Sequence, residues 1–215
     1  MDKNLSNYRK SYEKAVLLEE TISDDPMELF QQWFNEVDLE FPDLETNAMT
    51  LSTIGLDGYP KNRVVLLKKY TYKGFIFYTN YESEKGKSIS ANSNVCLSFH
   101  WEKAEKQVII KGSAIRIAED QSDEYFESRP KGSQLGAIVS NQSEVIESRG
   151  VLEKKLKTLE AAYDNKKILR PKFWGGFLVN PVEVEFWQGR ANRLHDRIRY
   201  QRQTESSWTT ERLSP

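Results

Sequence analysis

Three side chains that can carry positive charge, Arg193, His195 and Arg197, recur at every second position near the C-terminus of this 215-residue chain. That spacing predicts a strand with all three on one face. Cationic groups so placed repel one another unless an anion or carboxylates balance them. A bound phosphate or an electron-rich ring would supply the balance, and so would a surface ladder of Glu and Asp partners. The stretch ahead of them, Val182-Glu-Val-Glu-Phe-Trp187-Gln-Gly, is apolar and aromatic and leads into a turn.

Two other stretches gather groups suited to an anion. Tyr125 and Arg129 lie four apart on a predicted helix and share a face, and Ser133 follows Pro130 near the next predicted helix start. A phenol, a guanidinium and a hydroxyl can cradle a phosphate, because Arg offers bidentate donors to a dianion. A solvated helix end is the plainer alternative. In Arg63-Val-Val-Leu-Leu-Lys68 the two cations are five apart, hence on opposite faces of a strand, flanking a buried apolar run. Ordinary strand-end charges would do the same.

Several chemistries are excluded. With two His (His100 and His195) and one Cys, neither a three-His nor a Cys-rich zinc site can form, and no metal is expected. There is no G-x-S-x-G and no glycine loop for dinucleotides or triphosphates, so side chains must do much of any phosphate binding. Basic and acidic residues nearly cancel, 31 against 32, which offers nucleic acid no attracting field. The longest apolar runs, such as Val64-Val-Leu-Leu67, are too short to span a bilayer. Cys96 cannot form an internal disulfide and reads as a small buried hydrophobe in a reducing compartment. Met1-Asp-Lys-Asn-Leu5 lacks the apolar core of a secretory signal, so a cytoplasmic location is expected.

The elements that must position these residues follow from periodicity. Residues 1–20 read as a mobile arm with a helical turn around Tyr8 to Val16, and 21–215 as a single domain. Ser23-Asp-Asp-Pro26 starts a helix whose Met27, Phe30, Trp33, Phe34 and Val37 form a core face. Strands are predicted at Ala48–Gly55, Asn62–Tyr70, Phe75–Thr79, Val95–Trp101 and Lys106–Ala118, with turns at Asp57-Gly58 and Lys73-Gly74. Helices are predicted at Ser83–Asn92, Asp120–Ser128, after Pro130, and at Ser148–Tyr163, the last with Leu152, Leu156, Leu159 and Tyr163 as a core face. Four more strands follow at Gly176–Val179, Val182–Gln188, Leu194–Arg202 and Ser207–Leu213. Hairpins with helices inserted between them suit an α+β fold around a closed or nearly closed barrel.

The segment Glu183-Val-Glu-Phe-Trp187-Gln-Gly-x-x-x-Arg193-Leu-His195-Asp-Arg197 resembles the C-terminal signature of the pyridoxamine 5'-phosphate oxidase family. Arg63-Val-Val-Leu-Leu-Lys68, Phe77-Tyr-Thr79, Gln107-Val108, Tyr125-Phe-x-Ser-Arg129-Pro, Ser140-x-Gln142-Ser143 and Phe173-Trp-Gly-Gly176 appear in the family's order, and the match runs from about Arg9 to Pro215. The resemblance implies an FMN-binding split β-barrel with flanking helices and a homodimer with FMN at the subunit interface. It implies oxidation of pyridoxamine or pyridoxine 5'-phosphate to pyridoxal 5'-phosphate, with oxygen reduced to hydrogen peroxide.

Carried over by position, the FMN contacts are Arg63, Val64, Val65, Leu66, Lys68, Tyr78, Thr79, Ser83, Lys85, Gln107, Gln142, Ser143, Trp187 and Arg197. The substrate contacts are Lys68, Tyr125, Arg129, Ser133, Arg193 and His195, with Arg193 and His195 as the catalytic pair bracketing the pyridine ring. The arm residues Arg9, Lys10, Ser11 and Tyr12 match a segment that can fold over the site. One position departs from the pattern. The family usually carries a basic residue between the Ser and Lys of its third FMN segment, and here the order is Ser83-Glu84-Lys85. A Glu84 pointing inward would repel a phosphate.

Overall fold

The computed structural model describes residues 1–164 and 166–215. Its regular structure is five α-helices and nine strands. The helices are α1 (Pro26–Glu40), α2 (Glu84–Ala91), α3 (Glu119–Ser128), α4 (Lys131–Val139) and α5 (Arg149–Ala162). The strands are β1 (Ala48–Ile54), β2 (Pro60–Leu66), β3 (Lys69–Thr71), β4 (Gly74–Asn80), β5 (Asn94–Trp101), β6 (Lys106–Arg116), β7 (Trp174–Gln188), β8 (Asp196–Arg202) and β9 (Trp208–Arg212). They form one sheet in the order β2-β1-β5-β6-β7-β4-β3, with β8 pairing to β7 and to β9. The α+β class expected from the hairpin pattern is the one observed.

Backbone contacts divide the chain into two compact units, interleaved in sequence. The first comprises Met1–Met49, Leu97–Lys111 and Pro181–Pro215. Its core is aromatic. Phe30 packs against Phe99 at 5.1 Å, Trp33 meets Phe186 edge-on at 5.2 Å, and Phe186 meets Tyr200 at 5.7 Å. Helix α1 can present that face because Asp25 caps it, accepting the Met27 N–H at 2.8 Å, and because Pro26 opens its first turn without a wasted donor.

The second unit comprises Thr50–Cys96 and Gly112–Asn180. Its strands β4 and β7 run antiparallel from Phe75↔Val179 to Asn80↔Trp174. Over them lies a cluster of Phe126, Leu135, Ile168 and Trp174 that ties α3 and α4 down.

Five sequence expectations need correction. Residues 8–16 form no helical turn. The arm is held extended, because the Glu105 carboxylate accepts backbone N–H bonds from both Glu13 (2.9 Å) and Lys14 (3.0 Å). The single strand predicted over 62–70 is two, β2 and β3, with a break at Leu67-Lys68. The two strands predicted over 176–188 are one, since Pro181 falls between the stretch of β7 that pairs with β4 and the stretch that pairs with β8. Helix α5 has no fully buried residue; Leu156, Leu159 and Tyr163 are half-buried against the Trp174 cluster. Cys96 is half-buried, because alternation along β5 gives the inward positions to Val95, Leu97 and Phe99.

Candidate functional site

A cavity of about 590 Å³ opens within the second unit, framed by β2, β4, α2 and α4. Four cations line it, Arg63, Lys68, Lys85 and Arg129, and among the described lining residues none is Asp or Glu. Each cation is placed by its own local structure. Strand β2 aims Arg63, whose Nη1 donates to Leu51 O at 3.1 Å and to Thr53 Oγ1 at 2.8 Å. The break after β2 brings Lys68 to the same cavity wall, its backbone N–H held by Ile76 O at 2.8 Å. Arg63 and Lys68 therefore share one cavity instead of occupying opposite faces, and the run between them is buried only at its end, Val64 being 70% exposed and Leu67 4%.

Lys85 sits in the first turn of α2. Ser83 caps that helix, accepting the Gly86 N–H at 3.3 Å and donating to Asn80 O at 2.6 Å. Gly86 is required for this turn, because a Cβ there would lie 2.1 Å from Tyr81 O. Lys85 Nζ donates to Gln142 Oε1 at 2.7 Å, and Thr79 Oγ1 donates to the same oxygen at 3.3 Å. Burial, then the nearby Arg63 charge, lowers the Lys85 ammonium to about 8.

At the other end Arg129 ends α3, with Pro130 starting α4 and Ser133 in its first turn. Gln134 bolts the two helices together by donating to Phe126 O at 2.9 Å. A ladder of parallel rings backs this end: Tyr78 stacks on Tyr125 at 3.9 Å and on Trp174 at 5.5 Å, and the Arg129 guanidinium lies 4.7 Å over Trp174. Arg129 Nη1 is buried without a hydrogen-bond partner. A buried orphan donor on a cation is costly, and an anion in the cavity would satisfy it.

A second group of expected residues lies in the first unit. Trp187 packs on His195 at 4.7 Å, and Tyr12 of the arm meets Trp187 and His195 edge-on, both at 5.8 Å. Gly189 makes room for the arm, since a Cβ there would approach the Tyr12 side chain to 2.8 Å. His195 Nδ1 accepts the Arg190 N–H at 3.1 Å, so a neutral imidazole carries its proton on Nε2 and presents a donor. Burial, then the Arg193 charge, pushes the His195 pKa down and favours that neutral form. The predicted strand face of Arg193, His195 and Arg197 is not formed, because β8 starts only at Asp196. Arg193 ends a short 3₁₀ turn with φ +62°, next to Asn192 at +57°. Arg197 is paired, its Nε donating to Glu185 Oε1 at 2.8 Å, and Gln107 Nε2 donates to Ser98 Oγ at 3.1 Å.

Of the expected cofactor contacts, Arg63 to Leu66, Lys68, Tyr78, Thr79, Lys85 and Gln142 come together in the cavity, as do the substrate contacts Tyr125, Arg129 and Ser133. Ser83 is fully buried as a helix cap and is not part of the lining. Ser143, at φ +78°, lies in an adjoining pocket with Glu84. In the arm, Lys10 pairs with Glu102 at 2.8 Å, Ser11 donates to Glu13 at 2.8 Å, and the Arg9 N–H donates to Asn7 O at 3.0 Å. Sequence reasoning missed Trp174 as a lining residue, although the Phe173-Trp-Gly-Gly176 motif carried it.

A carboxylate-free, four-cation cavity with a ring ladder at one end has the chemistry to receive a phosphorylated aromatic ligand. Residues 38–163 match the family profile described as pyridoxamine 5'-phosphate oxidase, and residues 174–215 match that of the pyridoxine 5'-phosphate oxidase C-terminal dimerisation region. The chain belongs to the pyridoxamine 5'-phosphate oxidase family. It is 66% identical over 211 residues to the pyridoxine/pyridoxamine 5'-phosphate oxidase of Flavobacterium johnsoniae, covering 98% of this chain and 99% of that one. The corresponding enzyme of Flavobacterium psychrophilum is 64% identical, covering 99% and 100%. Among solved structures, PhzG from Burkholderia lata in complex with tetrahydrophenazine-1-carboxylic acid superposes with a TM-score of 0.85 at 27% identity, covering 93% of this chain and 98% of that one. A pyridoxamine 5'-phosphate oxidase-related FMN-binding protein from Nostoc punctiforme shares the fold, with a TM-score of 0.70 at 15% identity over 90% and 100%. The chain thus has the split-barrel fold of this oxidase family, and among its described residues no helix is long and apolar enough to cross a membrane.

Proposed function

We propose that this oxidase acts on the 4'-methylene carbon of pyridoxamine or pyridoxine 5'-phosphate, with FMN as cofactor, and yields pyridoxal 5'-phosphate. The observation that carries this reading is the cavity of Arg63, Lys68, Lys85 and Arg129, free of carboxylates and ending on the orphan Nη1 of Arg129. The donor set fits two phosphate groups. Arg63, Thr79, Lys85 and Gln142 would hold the cofactor's phosphate, with Val64 to Leu66 and Tyr78 along its length. Lys68, Tyr125, Arg129 and Ser133 would hold the substrate's.

FMN, when bound, supplies a two-electron acceptor that oxygen regenerates with release of hydrogen peroxide. The remaining work is positioning. The Arg129 end anchors the substrate phosphate, and that remote binding energy holds the reacting carbon in place. Arg193 and His195 bracket the pyridine ring, with His195 Nε2–H available as a donor. Trp187, Gln107 and Arg197 contribute to the FMN site, which we place at the interface of a homodimer built through the C-terminal dimerisation region. Tyr12 and its neighbours cover His195 and exclude water from it. The amine route releases ammonia after water adds, and the alcohol route gives the aldehyde directly. We place the reaction in the cytoplasm, where a single cysteine that cannot form an internal disulfide is compatible with reducing conditions.

The test is an anaerobic titration of the FMN-loaded protein with pyridoxamine 5'-phosphate. The flavin absorbance should bleach, then recover with stoichiometric peroxide when air is admitted. A flavin that binds and stays oxidised would refute the oxidase reading.

A further inference from the structure

At the cofactor end of the cavity the chain carries an acidic residue, Glu84, directly before Lys85. Its carboxylate does not line the cavity of Arg63 and Lys85; it lines the adjoining pocket, with Gln142 contributing to both. Lys61 holds it there. Lys61 Nζ donates to both Glu84 oxygens, at 2.7 and 2.6 Å. Lys61 lies on β2 two residues before Arg63, so the strand places both cations on one face. Glu84 is close enough to act on the site: burial lowers the proton affinity of both Arg63 and Lys85, and the Glu84 charge partly opposes that lowering at each.

We infer that Lys61 is a charge-screening residue for the cofactor site: by clamping Glu84 it lets a site with an acidic residue beside Lys85 accept a phosphate dianion. The inference rests on the FMN reading above. Both partners are roughly half exposed, at 57% and 45%, and pairs this exposed contribute little to folding. The pair's effect therefore falls on the ligand. Free of Lys61, a single negative charge within one helical turn of a dianion weakens binding by about five- to twentyfold.

The experiment is a flavin-fluorescence titration of FMN-stripped protein with FMN and, separately, with riboflavin, which lacks the phosphate. Lys61→Ala should weaken FMN binding by about five- to twentyfold and leave riboflavin binding unchanged. Adding Glu84→Gln to that variant should restore FMN affinity to within about twofold, and the exchanged pair Lys61→Glu with Glu84→Lys should bind FMN at least as well as the original. Equal losses for FMN and riboflavin, no loss with Lys61→Ala, or no rescue by Glu84→Gln would each overturn the inference. Failure of the unaltered protein to bind FMN at all would instead overturn the functional reading on which it rests.

Discussion

Around Lys85 and Arg129 the side chains are fixed by regular structure, whereas around His195 they are fixed by turns. In the cavity, a capped helix start, strand β2, the break that follows it and a helix-to-helix junction each deliver one cation, and hydrogen bonds such as Arg63 to Thr53 and Lys85 to Gln142 hold them. In the His195 group, consecutive left-handed residues Asn192 and Arg193 shape a 3₁₀ turn, and an extended arm packs Tyr12 over the imidazole. Regular structure suits a site that must hold a permanent ligand. A turn covered by an arm suits a group that must admit and release a substrate. Non-glycine residues at positive φ store strain that the surroundings must offset, and such residues concentrate at functional sites.

The comparison breaks most sharply on turnover. Arg193→Ala and His195→Ala should each lower kcat by about 100-fold or more while FMN stays bound, because general donor and positioning groups act only in the reaction. Steady-state kinetics beside the flavin absorbance of the purified variants checks this; colourless protein in both cases would place these residues in the cofactor site instead.

The Arg129 end should respond in binding. Arg129→Ala should raise KM for the phosphorylated substrate by about 10- to 100-fold, the worth of a bidentate charge-assisted contact, with a smaller change in kcat. An unchanged KM would remove Arg129 from the substrate site.

The smallest effect is one of pH. Burial, then the Arg63 charge, holds Lys85 at about 8, below its ordinary 10.5, so it is charged below that value and increasingly neutral above it. The FMN phosphate is already a dianion at pH 7. FMN affinity should therefore weaken by roughly tenfold between about pH 7.5 and 9.5. Fluorescence titrations across that range test it, and Lys85→Gln should flatten the profile.

The sequence by itself determined which residue types could bind a phosphate and where the elements lie. Alternation and capping signals located α1 and the strand cores, and the Arg193–His195–Arg197 spacing marked a segment able to carry an anion or an electron-rich ring. The spacing rules failed where chain geometry changed within a motif. Arg63 and Lys68 would be on opposite faces of an unbroken strand, but the break at Leu67-Lys68 lets both line one cavity. Arg193 and His195 precede β8, so a turn directs them where a strand pleat had been expected. Residues far apart in sequence were also beyond local pattern. The Tyr78, Tyr125 and Trp174 ladder and the Lys61 clamp on Glu84 join segments 23 or more positions apart. Periodicity fixes the face on which a side chain lies within one element. The neighbour it meets from another element is decided by packing, and only the tertiary structure shows that.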